Sequence, residues 1–222
     1  MKKISLSLAA LGFLTNLYSS EYSVELFSGF VKNAKEDMVI HRSSGDSIVM
    51  NDVEFETHPQ TVPYYYGLRI SKWYDDDTAW ELEHVHQKLY IDNPEQYDAG
   101  LTNWEVTDGY NFFMLNKAWL KKESNIIYRF GGGFIISHPD VTLDGERLHG
   151  EGNGAVVWGT GYHLSGFVLQ TSVQKRFDIN KDWFFGTELK ASYSKAYIEV
   201  PHGGVFVQNR ALHLDFGFGY KF

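Results

Sequence analysis

The sequence predicts an all-β fold, an eight-stranded antiparallel transmembrane β-barrel of the outer-membrane type. Three observations predict it. The chain ends on Leu212, Leu214, Phe216, Phe218, Tyr220 and Phe222, alternating with His213, Asp215, Gly217, Gly219 and Lys221. Side chains of a strand point to opposite faces in turn, so this strand has one greasy and one polar face. The chain opens with Lys2 and Lys3, an apolar run over 4–17 and Tyr18-Ser19-Ser20, the pattern of a secretory signal peptide. The connections between alternating segments are short and long in turn, as in bacterial barrels. These readings divide the chain into a signal peptide over 1–20, cut near Ser19 or Ser20, and a barrel domain over 21–222.

Composition agrees. Aromatic residues make up 16% of the chain and Gly residues number 21, which suits barrel strands; a soluble β-sandwich would share this composition. There is no Cys, hence no lipoprotein anchor and no disulfide framework. The formal charge is −8, and loss of Lys2 and Lys3 deepens it. That excludes nucleic acid as a partner, since phosphate binding needs basic patches. After the leader, no stretch is long and apolar enough for a transmembrane helix. The expected location is the outer membrane of a Gram-negative bacterium, among its lipids.

Alternation places the strands at about 21–32, 62–74, 79–91, 109–120, 124–138, 156–177, 183–198 and 210–222. Tight charged turns follow the second, fourth and sixth: Asp75-Asp76-Asp77-Thr78, Lys121-Lys122-Glu123-Ser124 and Asp178-Ile179-Asn180-Lys181-Asp182. The longer stretches 33–61, 92–108, 139–155 and 199–209 are expected as outer loops. An even strand number puts both termini on the periplasmic side. The first strand sets Glu25 opposite Val24 and Leu26. The second sets Arg69 and Ser71 opposite Leu68 and Ile70. The fifth sets Arg129, Gly131, Gly133 and Ser137 opposite Tyr128, Phe130, Phe134 and Ile136. The seventh sets Gly186, Glu188, Lys190, Ser192 and Ser194 opposite Phe185, Leu189 and Tyr193. The interior of so narrow a barrel is filled by side chains. Glu25, Arg69, Arg129, Glu188 and Lys190 are therefore expected to pair inside, because buried charges need partners; a conducting pore is not expected.

Aromatic girdles mark membrane interfaces. Tyr64, Tyr65 and Tyr66 fit the outer one. Trp73, Tyr74, Trp119, Trp183, Phe184, Tyr220 and Phe222 fit the periplasmic one. The terminal run to Phe222 is also the expected signal to the outer-membrane insertion machinery.

Nine histidines remain. His41, His58, His149 and His202 fall in expected outer loops, His86, His138, His163 and His213 near the outer rim, and His84 nearer mid-height. His84, His86 and Lys88 share one strand face. Two imidazoles at that spacing can share a metal or a phosphate, and a Lys suits an anionic head group. Strict alternation puts them beside Leu82, facing lipid; a bulge would be needed to turn His86 inward. The plain alternative is an interfacial His with a snorkelling Lys.

These residues resemble lipid A oxidase-like outer-membrane proteins. The similarity lies in 64–74 (YYYGLRISKWY), in 80–90 with its His86-x-Lys88, and in 109–116 (GYNFFMLN). It continues through the glycine-rich strand into His138-Pro139, Glu188-Leu189-Lys190 and His213, and the acidic-apolar segment 46–56. The resemblance implies an eight-stranded barrel acting at its outer rim on lipid A, the anchor of lipopolysaccharide. It implies oxygen-dependent conversion of the proximal glucosamine to an aminogluconate, with His86, His138 and His213 as catalytic residues and Lys88 holding substrate. A divalent metal and oxygen are the cofactors it would suggest. The sequence departs from the pattern at Val85, usually a hydroxyl residue, and at Leu212, usually a second His. Two alternatives stand beside it. One is a non-catalytic, structural or adhesin-like barrel. The other is a lipid A deacylase, in which His163 would activate Ser165 and an acid such as Asp178 would orient the His. Convergence of His86, Lys88, His138 and His213 would favour the oxidase-like reading, and scatter around the rim would disfavour it.

Overall fold

The computed structural model describes residues 21–150, 156–157 and 161–222. The expected leader over 1–20 lies outside the described residues, as do 151–155 and 158–160, which include part of the expected sixth strand. The strands in chain order are β1 (Tyr22–Asn33), β2 (Glu36–Arg42), β3 (Ser47–Val53), β4 (Tyr66–Trp73), β5 (Thr78–Tyr90), β6 (Leu101–Lys121), β7 (Ile126–Ser137), β8 (Asp140–Leu143), β9 (Glu146–His149), β10 (Val156–Val157), β11 (Tyr162–Asp178), β12 (Trp183–Val200) and β13 (Gly203–Lys221). Eight of them form a ring in the order β1, β4, β5, β6, β7, β11, β12, β13, and β13 pairs back onto β1. All ring pairings are antiparallel. Closure leaves the eight-stranded ring itself without an edge strand, the condition for crossing a bilayer with strands. At the seam, Phe222 and Tyr22 exchange backbone hydrogen bonds of 2.8 and 3.0 Å.

Alternation sorts the side chains. Leu26, Phe30, Leu68, Ile70, Leu82, Leu115, Phe130, Phe134, Leu189, Leu212, Phe216 and Phe218 point outward and are exposed, forming an apolar belt. Tyr64, Tyr66, Tyr197 and Phe206 border it on the outer side, and Tyr74, Trp80, Trp119 and Trp183 on the other. Three expected girdle residues point inward instead. Tyr65, Trp73 and Phe184 are buried, because each neighbours an outward aromatic and must face the opposite way.

The outer connections differ from open loops. The stretch expected as loop 33–61 folds into the β2–β3 hairpin, which extends the wall by pairing Ile40–Arg42 with Gly203–Val205 at the end of β13. The expected loop 199–209 is strand, because β12 and β13 continue outward to a turn at Pro201 and His202. Within 92–108, β6 already begins at Leu101 and pairs with β8, and β8 with β9. The physical reason is alternation beyond the bilayer: Met38 and Ile40 on β2, Met50 and Val53 on β3, and Phe55 just beyond all turn inward and are buried.

The interior filling has two large parts, besides a small apolar plug of Trp73, Ala79, Ala118 and Ile127 at the periplasmic end. Around mid-height, Arg69 bonds Glu25, Glu83 and Glu188, and Arg129 bonds Glu81, Glu188 and Gln174. Lys190 reaches Glu83 at 2.7 Å and Asp215 at 3.2 Å. The expected internal pairing of Glu25, Arg69, Arg129, Glu188 and Lys190 is present, joined by Glu81, Glu83 and Asp215. Toward the outer end the filling becomes apolar. Phe27, Met38, Ile40, Phe55, Trp104, Phe112 and Val205 belong to one buried cluster.

Candidate functional site

β5 carries the cluster singled out by sequence. Its ladder sets His84 beside Leu68 and Phe113, and His86 beside Tyr66 and Asn111. Glu81, Glu83, Val85 and Gln87 are buried on the lumen side, while Leu82 is exposed to lipid. His84 and His86 therefore lie on the membrane side of the wall. The register irregularity that would turn His86 inward falls on β6: the three residues from Gln87 to Leu89 oppose the five from Tyr110 to Val106. Gly109, at φ 148°, takes up that irregularity. The alternation of β5 is left intact.

Asn111 ties the two imidazoles together. His84 Nε2 lies 3.2 Å and His86 Nδ1 3.0 Å from Asn111 Oδ1. With the amide oxygen accepting, both of these nitrogens carry hydrogen, which assigns the tautomer of each neutral ring. Tyr66 stacks on His86 at 5.3 Å and meets His84 edge-on at 5.8 Å. Phe113 closes the other side of His84 at 4.8 Å. Lys88 follows in the same outward row but is covered. Its Nζ donates to Thr61 O at 2.7 Å and lies 5.3 Å from the Tyr90 ring. The segment over it is pinned by His58, which packs on Tyr90 and bonds Asp92 at 2.6 Å.

The other expected site residues lie elsewhere. His213 is in the lumen, 1% exposed, rather than on a wet rim. Its Nε2 is 2.8 Å from Ser192 Oγ and its Nδ1 3.0 Å from Tyr65 Oη, which donates to Asp215 at 2.9 Å. Consecutive residues thus serve opposite sides: Tyr65 reaches His213 inside and Tyr66 stacks on His86 outside. His138 follows β7 and packs on Tyr162 and His149, at 4.9 and 5.1 Å. Gly150 leaves room for it; a Cβ there would lie 2.4 Å from His138 Nε2. Close by, Asp140 receives two bonds from Arg147, and His149 Nδ1 is 3.4 Å from Asp140 Oδ2. The Arg147 hydrogen bond holds the Asp140 carboxyl below its ordinary range. The His163–Ser165 pair is not engaged as nucleophile and base: His163 Nε2 is 3.1 Å from Gly150 O, and Ser165 Oγ is 3.4 Å from Ile135 O. Asp178 is bonded to Asn125 and Lys221 at the periplasmic turns.

Asn111 is the neighbour of the histidine pair that sequence reasoning missed. It stood inside the quoted 109–116 stretch, but its place across from His86 is a matter of register. The donor set does not suit a metal ion. Among the described residues no three His, Asp or Glu side chains converge as a metal site requires, and His84 and His86 share an amide rather than a carboxylate.

A closed ring with a polar interior, an apolar outer belt and aromatic borders defines a small outer-membrane β-barrel, and the bacterial outer membrane is its location. No protein-family model matches the chain, and no curated protein matches it. Solved structures do. The chain is similar to outer membrane protein AlkL, determined in DMPC bilayers by solid-state NMR, with a TM-score of 0.50 and 11% identity over 91% of this chain and 89% of that one. Neisserial surface protein A gives a TM-score of 0.41 at 12% identity, covering 92% and 98%. Ail of Yersinia pestis, solved with the heparin analogue sucrose octasulfate, gives 0.41 at 11%, covering 92% and 100%. At such identities the likeness to AlkL speaks for the fold alone.

Proposed function

We propose that this barrel is a lipid A-directed protein that acts on the membrane side of its wall, at the outer end of β4, β5 and β6. The observation that carries the reading is the pair His84 and His86 bonded to one Asn111 oxygen beyond the apolar belt. That face looks toward the head-group level of the outer leaflet rather than the lumen: His84 is half-buried, while His86 and Asn111 are buried, with Tyr66 stacked on His86. Neutral imidazoles beside a sugar head group can hold or move protons near neutral pH. Lys88, under the Thr61 carbonyl, adds positive field for a phosphate without touching it in this conformation. The resemblance supplies the reaction: the free C1 hemiacetal of the proximal glucosamine loses two electrons and two protons to oxygen, which leaves as hydrogen peroxide, and water opens the resulting lactone to the aminogluconate. His138, on the outer end of β7, is the second group this reading assigns to the rim.

The test is mass spectrometry of lipid A from cells with the intact protein, without it, and with His86→Ala, Asn111→Ala or His138→Ala. A mass change present only with the intact protein, and lost in His86→Ala while heat-modifiable folding persists, supports the reading. The absence of any change under air overturns the oxidase activity. A second reading, a non-catalytic barrel, is favoured by one observation: His213 lies in the lumen, so the four expected residues do not form a single constellation. Under that reading all these variants leave lipid A unaltered.

A further inference from the structure

Directly below the histidine pair, the membrane side of the wall carries a groove of about 420 Å³. Leu68, Leu82, Phe113, Leu115 and Gly132 line it, and His84 forms its upper end. Gly132 shares the outward parity of Phe130 and Phe134 and sits in register between Leu115 and Leu169. It therefore leaves a notch between Leu115 and Leu169, narrowed on one side by Leu169, whose Cδ2 would lie 2.7 Å from a Cβ at Gly132. Leu82 and Leu115, 63% and 50% exposed, form the walls.

We propose that this groove seats one acyl chain of the lipid whose head group lies at His84, Asn111 and His86, so that the wall selects its lipid by tail as well as by head. The inference rests on the lipid A reading and deepens it. The occupant follows from position. The groove faces hydrocarbon, and it runs without a break into the polar cluster at the head-group level. Bulk lipid is as apolar as leucine, so burial there gains nothing from the hydrophobic effect. What a notch offers is close contact along the chain, many small dispersion terms that a flat wall lacks. The tail thus fixes the depth and direction of the head group against the two imidazoles.

The test uses the folded full-length barrel in detergent micelles and two probes, hexa-acylated lipid A and its fully deacylated phosphorylated disaccharide. Leu82→Trp and Leu115→Trp each fill the groove, and Leu26→Trp places the same bulk on an exposed part of the belt outside it. Heat-modifiable migration checks folding, and either groove variant suffices if the other does not fold. The expected result is about tenfold weaker binding of acylated lipid A to the groove variants. The disaccharide is unaffected, and Leu26→Trp resembles the unaltered protein. Equal affinity of the unaltered protein for both probes overturns the groove and leaves the head-group reading standing. Acylated lipid A that binds all variants alike also overturns it. Binding of neither probe removes both.

Discussion

Around Arg69 the barrel interior is held by ion pairs; around Phe112, on the outer side, it is held by packing. The two regions share strands, yet their design differs. In the first, each cation touches several carboxylates, and side-chain amides from Asn116, Gln170 and Gln174 fill remaining bonding positions. In the second, hairpins outside the membrane fold their apolar faces inward as an ordinary core. The difference follows from surroundings. Within the bilayer the greasy face of each strand must point out, so what remains for the lumen is polar and must pair. Beyond the bilayer the usual arrangement returns.

The sharpest way to break this comparison is to remove one cation. Arg69→Met leaves Glu25, Glu83 and Glu188 buried without their guanidinium. It should cost about 4 kcal/mol, the range for breaking a buried ion pair, read by urea unfolding in micelles. Glu25→Gln, Glu83→Gln and Glu188→Gln added together should restore part of that loss, since the penalty belongs to the orphaned charges. If Arg69→Met is as stable as the parent, the charged layer does not hold the barrel.

Phe112→Ala tests the apolar region. Truncating a fully buried aromatic costs about 3 kcal/mol through lost burial and the cavity left behind. Here the loss should show first as protease cutting in the outer hairpins, with the ring below intact. Loss of the whole barrel at once would mean the two regions are one cooperative unit.

The sequence carried the membrane part more openly than the rest. Period-two alternation, the charged turns and the inward Glu25, Arg69, Arg129, Glu188 and Lys190 were readable because a membrane forces strict sorting. The β2–β3 hairpin was hidden, because Glu36, Asp37, His41 and Arg42 surround Met38 and Ile40 and give the stretch a loop-like composition. Parity correctly put His84 and His86 on the lipid side. It could not give Asn111 as their shared partner, or the depth at which His213, on the polar face of its strand, meets Tyr65 and Ser192. Those depend on register and on height across the wall, which a single strand does not encode.

The mildest test sets an exposed ion pair against the buried ones. Asp140 accepts two hydrogen bonds from Arg147 in the β8–β9 hairpin, and these hold its carboxyl below the ordinary range. A carboxyl with a lowered folded value contributes stability that is complete above its unfolded value. That contribution is lost as pH falls through the folded one. Arg147 is 62% exposed, so water screens the pair, and salt should weaken it further. Acid titration followed by the NMR signals of the β8–β9 amides should show the hairpin loosening below the ordinary carboxylate range. Asp140→Asn should remove that transition. Added salt should weaken the hairpin in the parent while leaving the loss on Arg69→Met unchanged, because ions do not reach a filled lumen. Equal salt sensitivity of the two would mean that the charges around Arg69 are wet, and that the interior is a water-filled path rather than a packed one.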